Sequence, residues 1–404
     1  MQPHASPEAI TAQAAAKLLG VKAQTLYAYA SRGLLRRVGT GKRRLYLVED
    51  LERLQARQRA RSGHGPVAAG ALSFGEPVLD TRLTSIDERG PRYRGVSALE
   101  LAARGERFEA VAELLWTGEL PHGAPAWQAL PGSARRSAAP ESIEALLLEL
   151  PALTRAAGER HARARDVELG LGRKLVRSLA ELLAPSGVGA RRGDVSSIAE
   201  LLTPHSALPP KLVTAALDVA LVLLADHELN ASSFAARIAA STDAHLPACL
   251  TAALATLSGP RHGGACDRVE ALLREAATLP HPTSVVELRA RRGDSVPGFG
   301  HPLYPQGDPR ARLLLERAEL LAKASVAAKK RLAPARALAR LMEQQGLPAT
   351  VDFGLVALTR TLGCPDGFAA LVFALGRSAG WVAHVLEQRT SEAVLRPRAR
   401  YVGA

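Results

Sequence analysis

Gly259-Pro260-Arg261-His262-Gly263-Gly264 sets a histidine on a proline- and glycine-rich break between two helical stretches. Upstream, an apolar run over 215–225 ends in Asp226-His227-Glu228-Leu229-Asn230. Downstream, Gly298-Phe299-Gly300-His301 again puts an imidazole beside glycines, and Val351-Asp352-Phe353 places a carboxylate in the next stretch. Glycines let backbone approach a ligand closely. Imidazoles and a carboxylate on such breaks suit proton abstraction beside a carbonyl, where one group takes the proton and others hold the oxygens as negative charge builds. The pattern predicts an enzyme.

Around these motifs the chain is rich in Ala and Leu and has only 4% aromatic residues, which favours helix over strand. Its 404 residues are enough for two or three domains, each with its own core. The 215–225 run is short and carries Asp218, so it predicts a buried helix and no membrane span. No basic-then-apolar leader pattern opens the chain. Cys249, Cys266 and Cys364 have neither metal-ligand nor disulfide-framework spacing, and suit a reduced cytoplasm. No phosphate-cradling GxGxxG or Walker loop appears, and no His/Cys/Asp cluster has metal-site spacing. The expectation is an enzyme without a bound metal or cofactor.

Charge is uneven. Residues 1–66 hold 12 Lys+Arg against 4 Asp+Glu, leaving only +5 of the net +13 for the rest. Such asymmetry points to a nucleic-acid-facing head on a nearly balanced body. Thr11 can cap a helix through 12–19 that Gly20 stops, and a second helix follows from about Ala23. Next, the segment 33–46 predicts a two-stranded wing with a basic, Gly-rich tip, and 49–61 a closing helix. Two short helices joined by a tight turn form a helix-turn-helix. Over roughly 9–60 the segment resembles the winged helix-turn-helix of the MerR/excisionase type. The resemblance implies that Gln24, Thr25, Tyr27 and Arg32 approach DNA and that Lys42, Arg43 and Arg44 touch phosphates. A small adaptor that binds protein or drives dimer assembly is the plainer reading. Ser62-Gly63-His64-Gly65-Pro66 has linker composition and sets a boundary near residue 66.

The body starts with a short hairpin turning at Arg89-Gly90-Pro91 and a helix from near Ser97, and continues as helices punctuated by Pro and Gly. Thr84-Ser85-Ile86, Arg92-Tyr93-Arg94-Gly95, the three histidine motifs, Asp308-Pro309-Arg310, Val351-Asp352-Phe353, Gly376-Arg377-Ser378-Ala379-Gly380-Trp381 and Arg396-Pro397-Arg398 follow one another in a fixed order. This ordered set resembles the citrate synthase family from about residue 75 to the C-terminus. The resemblance implies a mainly α fold, with a large helical domain (67–262 and 357–404) interrupted by a small one (263–356). The cleft between them would close over substrate and exclude water.

For a condensation of acetyl-CoA or propionyl-CoA with oxaloacetate, the resemblance assigns roles. Asp352 matches the base that removes the methyl proton; the bland alternative is a helix N-cap. His262 matches the donor to the enolising thioester, and His301 the group that polarises the ketone. His227 matches an oxaloacetate-binding histidine, against the alternative of a satisfied core histidine. Arg310, Arg377 and Arg396 match the carboxylate-binding arginines, a task suited to the planar guanidinium fork. In the family the last arginine comes from the partner subunit, which implies a homodimer with shared active sites. Val296, Gly298 and Gly300 sit where the family's loop holds the adenine of CoA. His384 is read as a packed or interface residue.

The chain departs from the family in places. Pro302-Leu303-Tyr304-Pro305-Gln306-Gly307 has no cation where the family usually has one near the CoA phosphates, which bears on CoA affinity and on the acyl-CoA accepted. The stretch 122–204 matches weakly and lacks the usual His-Pro-Met segment, and Gly354-Leu355 replaces a common Tyr-Ser. These changes point to a divergent branch with its reacting groups in place. Two alternatives stay open: a ligand-responsive DNA-binding regulator that uses the synthase fold as a sensor, and a citryl-CoA lyase running the chemistry backwards.

Overall fold

The computed structural model describes residues 9–19, 21, 23–31, 35, 37–38, 45–47, 51, 79–123, 125–131, 139–157, 164–185, 197–397, 401 and 403. The chain forms two compact units, one of 1–80 with 397–404 and the other of 81–396.

In the first unit, β1 (Ala9–Thr11) leads into α1 (Ala12–Leu19), then α2 (Ala23–Ser31), β2 (Arg37–Val38) and β3 (Leu45–Leu47). The Ala14 N–H donates to Thr11 Oγ1 over 3.3 Å, so Thr11 caps α1 as its residue type predicts. The strands pair antiparallel in the order β1-β3-β2, with Ile10 and Arg37 both opposite Tyr46. Strand β1 was not expected; it is three residues long and shows no alternation to read. Ala15, Leu19, Leu26, Leu35, Tyr46 and Leu51 close a small core, with Val21 packed against it as expected for the turn. Gly20 and the linker at 62–66 lie outside the described residues, as does all of the 49–61 helix except Leu51.

The second unit opens with β4 (Thr84–Asp87), β5 (Gly90–Tyr93) and β6 (Val96–Ser97). Asp87 pairs with Gly90, so the hairpin turns at Glu88-Arg89, one residue earlier than expected, and Arg89 N–H donates to Asp87 Oδ1 at 2.8 Å. Ser97 caps α3 (Ala98–Arg104), and α4 (Phe108–Thr117), α5 (Ile143–Ala157), α6 (Arg165–Leu183) and α7 (Ile198–Leu201) follow. Then come α8 (Pro210–Leu224), α9 (Ala231–Ser241) and α10 (Leu246–Leu257). The remainder is α11 (Ala265–Thr278), α12 (Ser284–Arg292), α13 (Pro309–Ala324), α14 (Val326–Gln344), α15 (Val351–Leu362) and α16 (Phe368–Gln388).

Helix α16 organises the core, with α4, α6, α8, α9 and α10 packed around it. It is apolar on every face because it is buried on every face. Among the described residues it is the helix long and apolar enough to cross a membrane, yet it is wholly enclosed by protein. Helices α11 to α15 form a second group, with α13 against α14 and α15, and α11 against α15. The fold is predominantly helical, with large and small helical parts after the helix-turn-helix, as the sequence predicts.

Candidate functional site

Each histidine and carboxylate of the motifs sits at a place where a helix begins or the chain breaks. Asp226 and His227 follow the C-terminus of α8; His262 lies on the break before α11; His301 follows the Gly298-Phe299-Gly300 loop; Asp352 is in the first turn of α15. Thr350, not Asp352, occupies the cap position of α15. Arg310 is in the first turn of α13 and Arg377 near the middle of α16.

The glycine loop is clamped to the chain just ahead of Asp352. Gly300 N–H donates to Pro348 O at 2.8 Å, Thr350 N–H to Gly298 O at 2.9 Å, and Phe299 pairs with Ala349. Gly298 has φ of 90°, and a Cβ there would meet Val269 at 2.8 Å and Phe353 at 3.1 Å. No side chain fits without moving its neighbours. The clamp therefore locks His301 and Asp352 into one rigid assembly.

His227 and His301 face each other, ring centroids 6.2 Å apart and nearly perpendicular. His227 Nε2 shares a 2.9 Å hydrogen bond with the Tyr304 hydroxyl, whose ring stands 5.3 Å from that of His301. The Leu303 N–H donates to His301 Nδ1 over 3.1 Å. Since Nδ1 accepts, the neutral His301 ring carries its proton on Nε2, which becomes the donor. Burial and the nearby Arg310 charge hold His301 below its ordinary pKa. The same two causes, with Arg377 added, push His227 well below.

His262 Nε2 lies 2.9 Å from Ser232 Oγ, and its ring packs edge-on to Phe373. Burial, then Arg377, lowers its pKa to about 4, so the ring is neutral near pH 7. Ser232 is itself buried; Trp381 Nε1–H donates to its hydroxyl at 3.0 Å, and that hydroxyl donates to Asn230 Oδ1 at 2.7 Å. Asn230 also caps α9 by accepting from Ser232 N–H and Ser233 N–H.

The two buried arginines are held differently. Arg310 donates Nε–H to Asp308 Oδ1 at 3.0 Å and Nη2–H to Asp308 Oδ2 at 2.7 Å. Asp308 thereby fixes the guanidinium and raises its pKa against the opposing effect of burial. Arg377 donates Nε–H to Leu224 O at 2.9 Å and lies over the Phe373 ring. It has no carboxylate bonded to it among the described residues. Burial and the Arg310 charge, only partly offset by Asp226, pull its pKa down to about 10. Two enclosed cations, of which Arg310 alone is ion-paired with Asp308, make a site that attracts an anion.

Asp352 lies half-buried beside them. Burial raises its pKa above the ordinary carboxylate value, with Arg310 acting in opposition. Its oxygens take long hydrogen bonds, from Thr350 Oγ1–H at 3.4 Å and from Cys266 Sγ–H at 3.7 Å. His227, His262, His301, Asp352, Arg310 and Arg377 are thus gathered around one centre. Arg396 is not: it lies on the exposed segment after α16, without a hydrogen bond to the site among the described residues. Val296 packs partly buried against the core.

Sequence reading missed Tyr304, Ser232, Cys266 and Asp308. Of these Asp308 alone had a visible signal, the acidic residue before a helix-opening proline. His384 is a packed residue as expected, with Nε2 at 3.3 Å from Asp226 Oδ1. In the other unit, Gln24 and Tyr27 are exposed on α2 and Thr25 is half-buried. Arg32, Lys42, Arg43 and Arg44 lie outside the described residues.

Comparison with known proteins bears on this arrangement. The profile of the citrate synthase C-terminal domain matches residues 73–164 and 182–398, and that of a helix-turn-helix domain matches 10–59. A citrate synthase of Haloferax volcanii is 32% identical over 81% of this chain and 93% of its own. A 2-methylcitrate synthase of Shewanella oneidensis is 35% identical over 49% of this chain and 53% of its own. The solved ternary complex of carboxymethyl coenzyme A and oxaloacetate with the citrate synthase of Thermoplasma acidophilum is similar at 25% identity. It covers 83% of this chain and 96% of that one, with a TM-score of 0.68.

Proposed function

Because this chain belongs to the citrate synthase family, we propose that Asp352, His262 and His301 carry the condensation of an acyl-CoA with oxaloacetate, and that His227, Arg310 and Arg377 bind the oxaloacetate. The enzyme is an acyltransferase that joins acetyl-CoA or propionyl-CoA to oxaloacetate and releases CoA. The observation that carries this reading is the juxtaposition of a half-buried, weakly bonded carboxylate with three neutral imidazoles and two enclosed guanidinium groups.

The chemistry follows from that geometry. Asp352, kept basic by burial, takes a proton from the acyl carbon next to the thioester. Negative charge then builds on the thioester oxygen, where His262 Nδ1–H donates. For Nδ1 to hold the proton, the Ser232 hydroxyl must turn its O–H from Asn230 Oδ1 to Nε2 while still accepting from the Trp381 N–H. A neutral imidazole that never has to lose a proton at physiological pH suits a donor to an enolate. His301 Nε2–H polarises the ketone and passes its proton to the new alkoxide. Arg310 and Arg377 take the carboxylates, and the dianion in turn relieves the mutual repulsion of the guanidinium groups. Water finally cleaves the thioester. Domain closure between the large part (67–262 and 357–404) and the small part (263–356) would keep water out until then. Val296, Gly298 and Gly300 would hold the CoA adenine.

The test is oxaloacetate-dependent release of free CoA thiol from acetyl-CoA and propionyl-CoA in parallel, with Asp352→Asn as control. Release that survives the substitution unchanged would remove Asp352 from the mechanism. The faster substrate names the branch; one methylene separates the two by only ~1–3 kcal/mol.

A second function belongs to the head. The basic excess of residues 1–66 and the helix-turn-helix match support DNA binding of the MerR/excisionase kind, with Gln24, Thr25 and Tyr27 on the reading helix and Arg32, Lys42, Arg43 and Arg44 on phosphates. Binding that weakens steeply with salt is expected, because phosphate contacts release counterions. Absence of binding at low salt would leave the head an adaptor. The three free cysteines favour the cytoplasm, and the exposed Arg396 favours a homodimer.

A further inference from the structure

Cys266 is unused by the mechanism above, yet it touches its centre. It lies four residues after His262, in the first turn of α11, and is wholly buried. Its backbone N–H donates to Gly263 O at 3.1 Å, so the glycine break that presents His262 also sets the position of the thiol. The Sγ–H reaches Asp352 Oδ1 over 3.7 Å. On the other oxygen the Thr350 hydroxyl stands at 3.4 Å. No arginine, lysine or histidine is in ion-pair contact with Asp352 among the described residues.

That choice of donors has a chemical consequence. A carboxylate that accepts several strong N–H bonds loses basicity, while a thiol is among the weakest donors a side chain offers. A carboxylate that must deprotonate carbon has to be held in place without being stabilised as an anion. Burial and the adjacent carboxylates of Asp352 and Glu270 push the Cys266 thiol well up, so it stays protonated and remains a donor. Cys249 shows the ordinary alternative: its thiol donates to a backbone carbonyl, Ala244 O, at 3.3 Å and meets no reacting group.

We propose that Cys266 is a positioning residue for the condensation, whose thiol proton fixes the rotation of the Asp352 carboxylate while withdrawing little charge from it. The inference rests on the reading of Asp352 as the base. It also means that one segment, His262 to Cys266, carries both the donor for the thioester oxygen and the group that orients the base. An alanine at 266 removes the donor, and a serine replaces it with a stronger one on a shorter reach.

The experiment compares the full-length protein with its Cys266→Ala, Cys266→Ser and Asp352→Asn variants. Turnover is read by oxaloacetate-dependent CoA release across pH, and the S–H stretching band by infrared spectroscopy. With alanine the acidic limb of kcat/KM is expected to move up by ~0.3–1 pH unit, with kcat reduced more than KM for acetyl-CoA. With serine the limb returns to the wild-type position or below it. The Cys266 S–H band, identified by its loss in the alanine variant, should shift in Asp352→Asn. Superimposable acidic limbs in all three Cys266 forms, with an S–H band indifferent to Asp352→Asn, would reduce Cys266 to space filling. Wild-type turnover by Asp352→Asn would instead overturn the base assignment and this inference with it. Should the alanine variant fail to fold, the serine profile and the band shift in Asp352→Asn decide the matter.

Discussion

His384 Nε2 lies 3.3 Å from Asp226 Oδ1, and neither side chain reaches solvent. The Tyr93 hydroxyl anchors the same place from the other side, donating toward the Asp226, Val222 and Leu223 carbonyls. Burial opposes ionisation of Asp226, yet His384 and Arg377 outweigh it and hold the carboxyl below its usual value. His384→Leu would therefore strand a buried carboxylate. It is expected to cost ~3–5 kcal/mol of stability, seen as a lower urea midpoint. Because Asp226 precedes His227, oxaloacetate KM should rise in whatever protein still folds. A variant as stable as wild type would show that Asp226 is neutral and the contact unimportant.

The acidic limb of activity should belong to Asp352 and not to an imidazole. His262 titrates at about 4, His227 and His301 are also depressed, and Asp352 is raised. As pH falls, protonation of Asp352 removes the base, and kcat/KM is expected to drop with it. His262→Ala is expected to lower kcat by ~10²–10⁴-fold and leave that limb where it is. An acidic limb that disappears with the imidazole would reverse the assignment. Stability carries the same signature with its own sign. The folded state keeps His262 neutral while the unfolded chain protonates near the ordinary histidine value, so stability is lost as pH falls from about 6.5 toward 4.

What was legible in the sequence and what was not divides along physical lines. Glycine-flanked histidines, the Asp-His-Glu break after an apolar run and a carboxylate at a helix start are local features, and His262, His301, His227 and Asp352 could be named from them. Arg310 and Arg377 needed the order of motifs, since an arginine-rich chain offers many equivalents. Tyr304, Ser232 and Cys266 were invisible because their importance comes only from what the fold places opposite them: Tyr304 from His227, Ser232 from Trp381 on α16, Cys266 from Asp352. Strand β1 escaped because three residues hold no period. Thr11 and Ser97, by contrast, cap α1 and α3 through contacts within three residues, which is why those helix starts were readable.

A second buried carboxylate offers a stability test away from the site. Glu109 accepts from Ile198 N–H at 2.6 Å, and burial pushes its pKa up to about 7. The folded state holds this proton up to about pH 7, whereas the unfolded chain releases it near 4.5. Stability therefore falls as pH rises through that window. Glu109→Gln keeps the acceptor and removes the charge. It is expected to gain ~1–2 kcal/mol relative to wild type between pH 5 and 8, measured by urea denaturation at each pH. A difference that stays constant with pH would mean Glu109 is already ionised in the folded protein.

Arg396 supplies the sharpest test of assembly. It is exposed in this chain, without a hydrogen bond to the gathered residues among the described residues, and on the homodimer proposal it completes the site of the partner subunit. Arg396→Ala and Asp352→Asn should each abolish most turnover as pure homodimers. In a mixed dimer one site unites both substitutions and the other unites neither. Co-refolding equal amounts should then restore about a quarter of wild-type activity, since half of the dimers are mixed and each has one intact site. The two variants merely added together, without subunit exchange, should show no such recovery. If Arg396 instead served its own chain, each mixed dimer would carry one lesion in each site, and co-refolding would yield nothing beyond the residual rates of the parents.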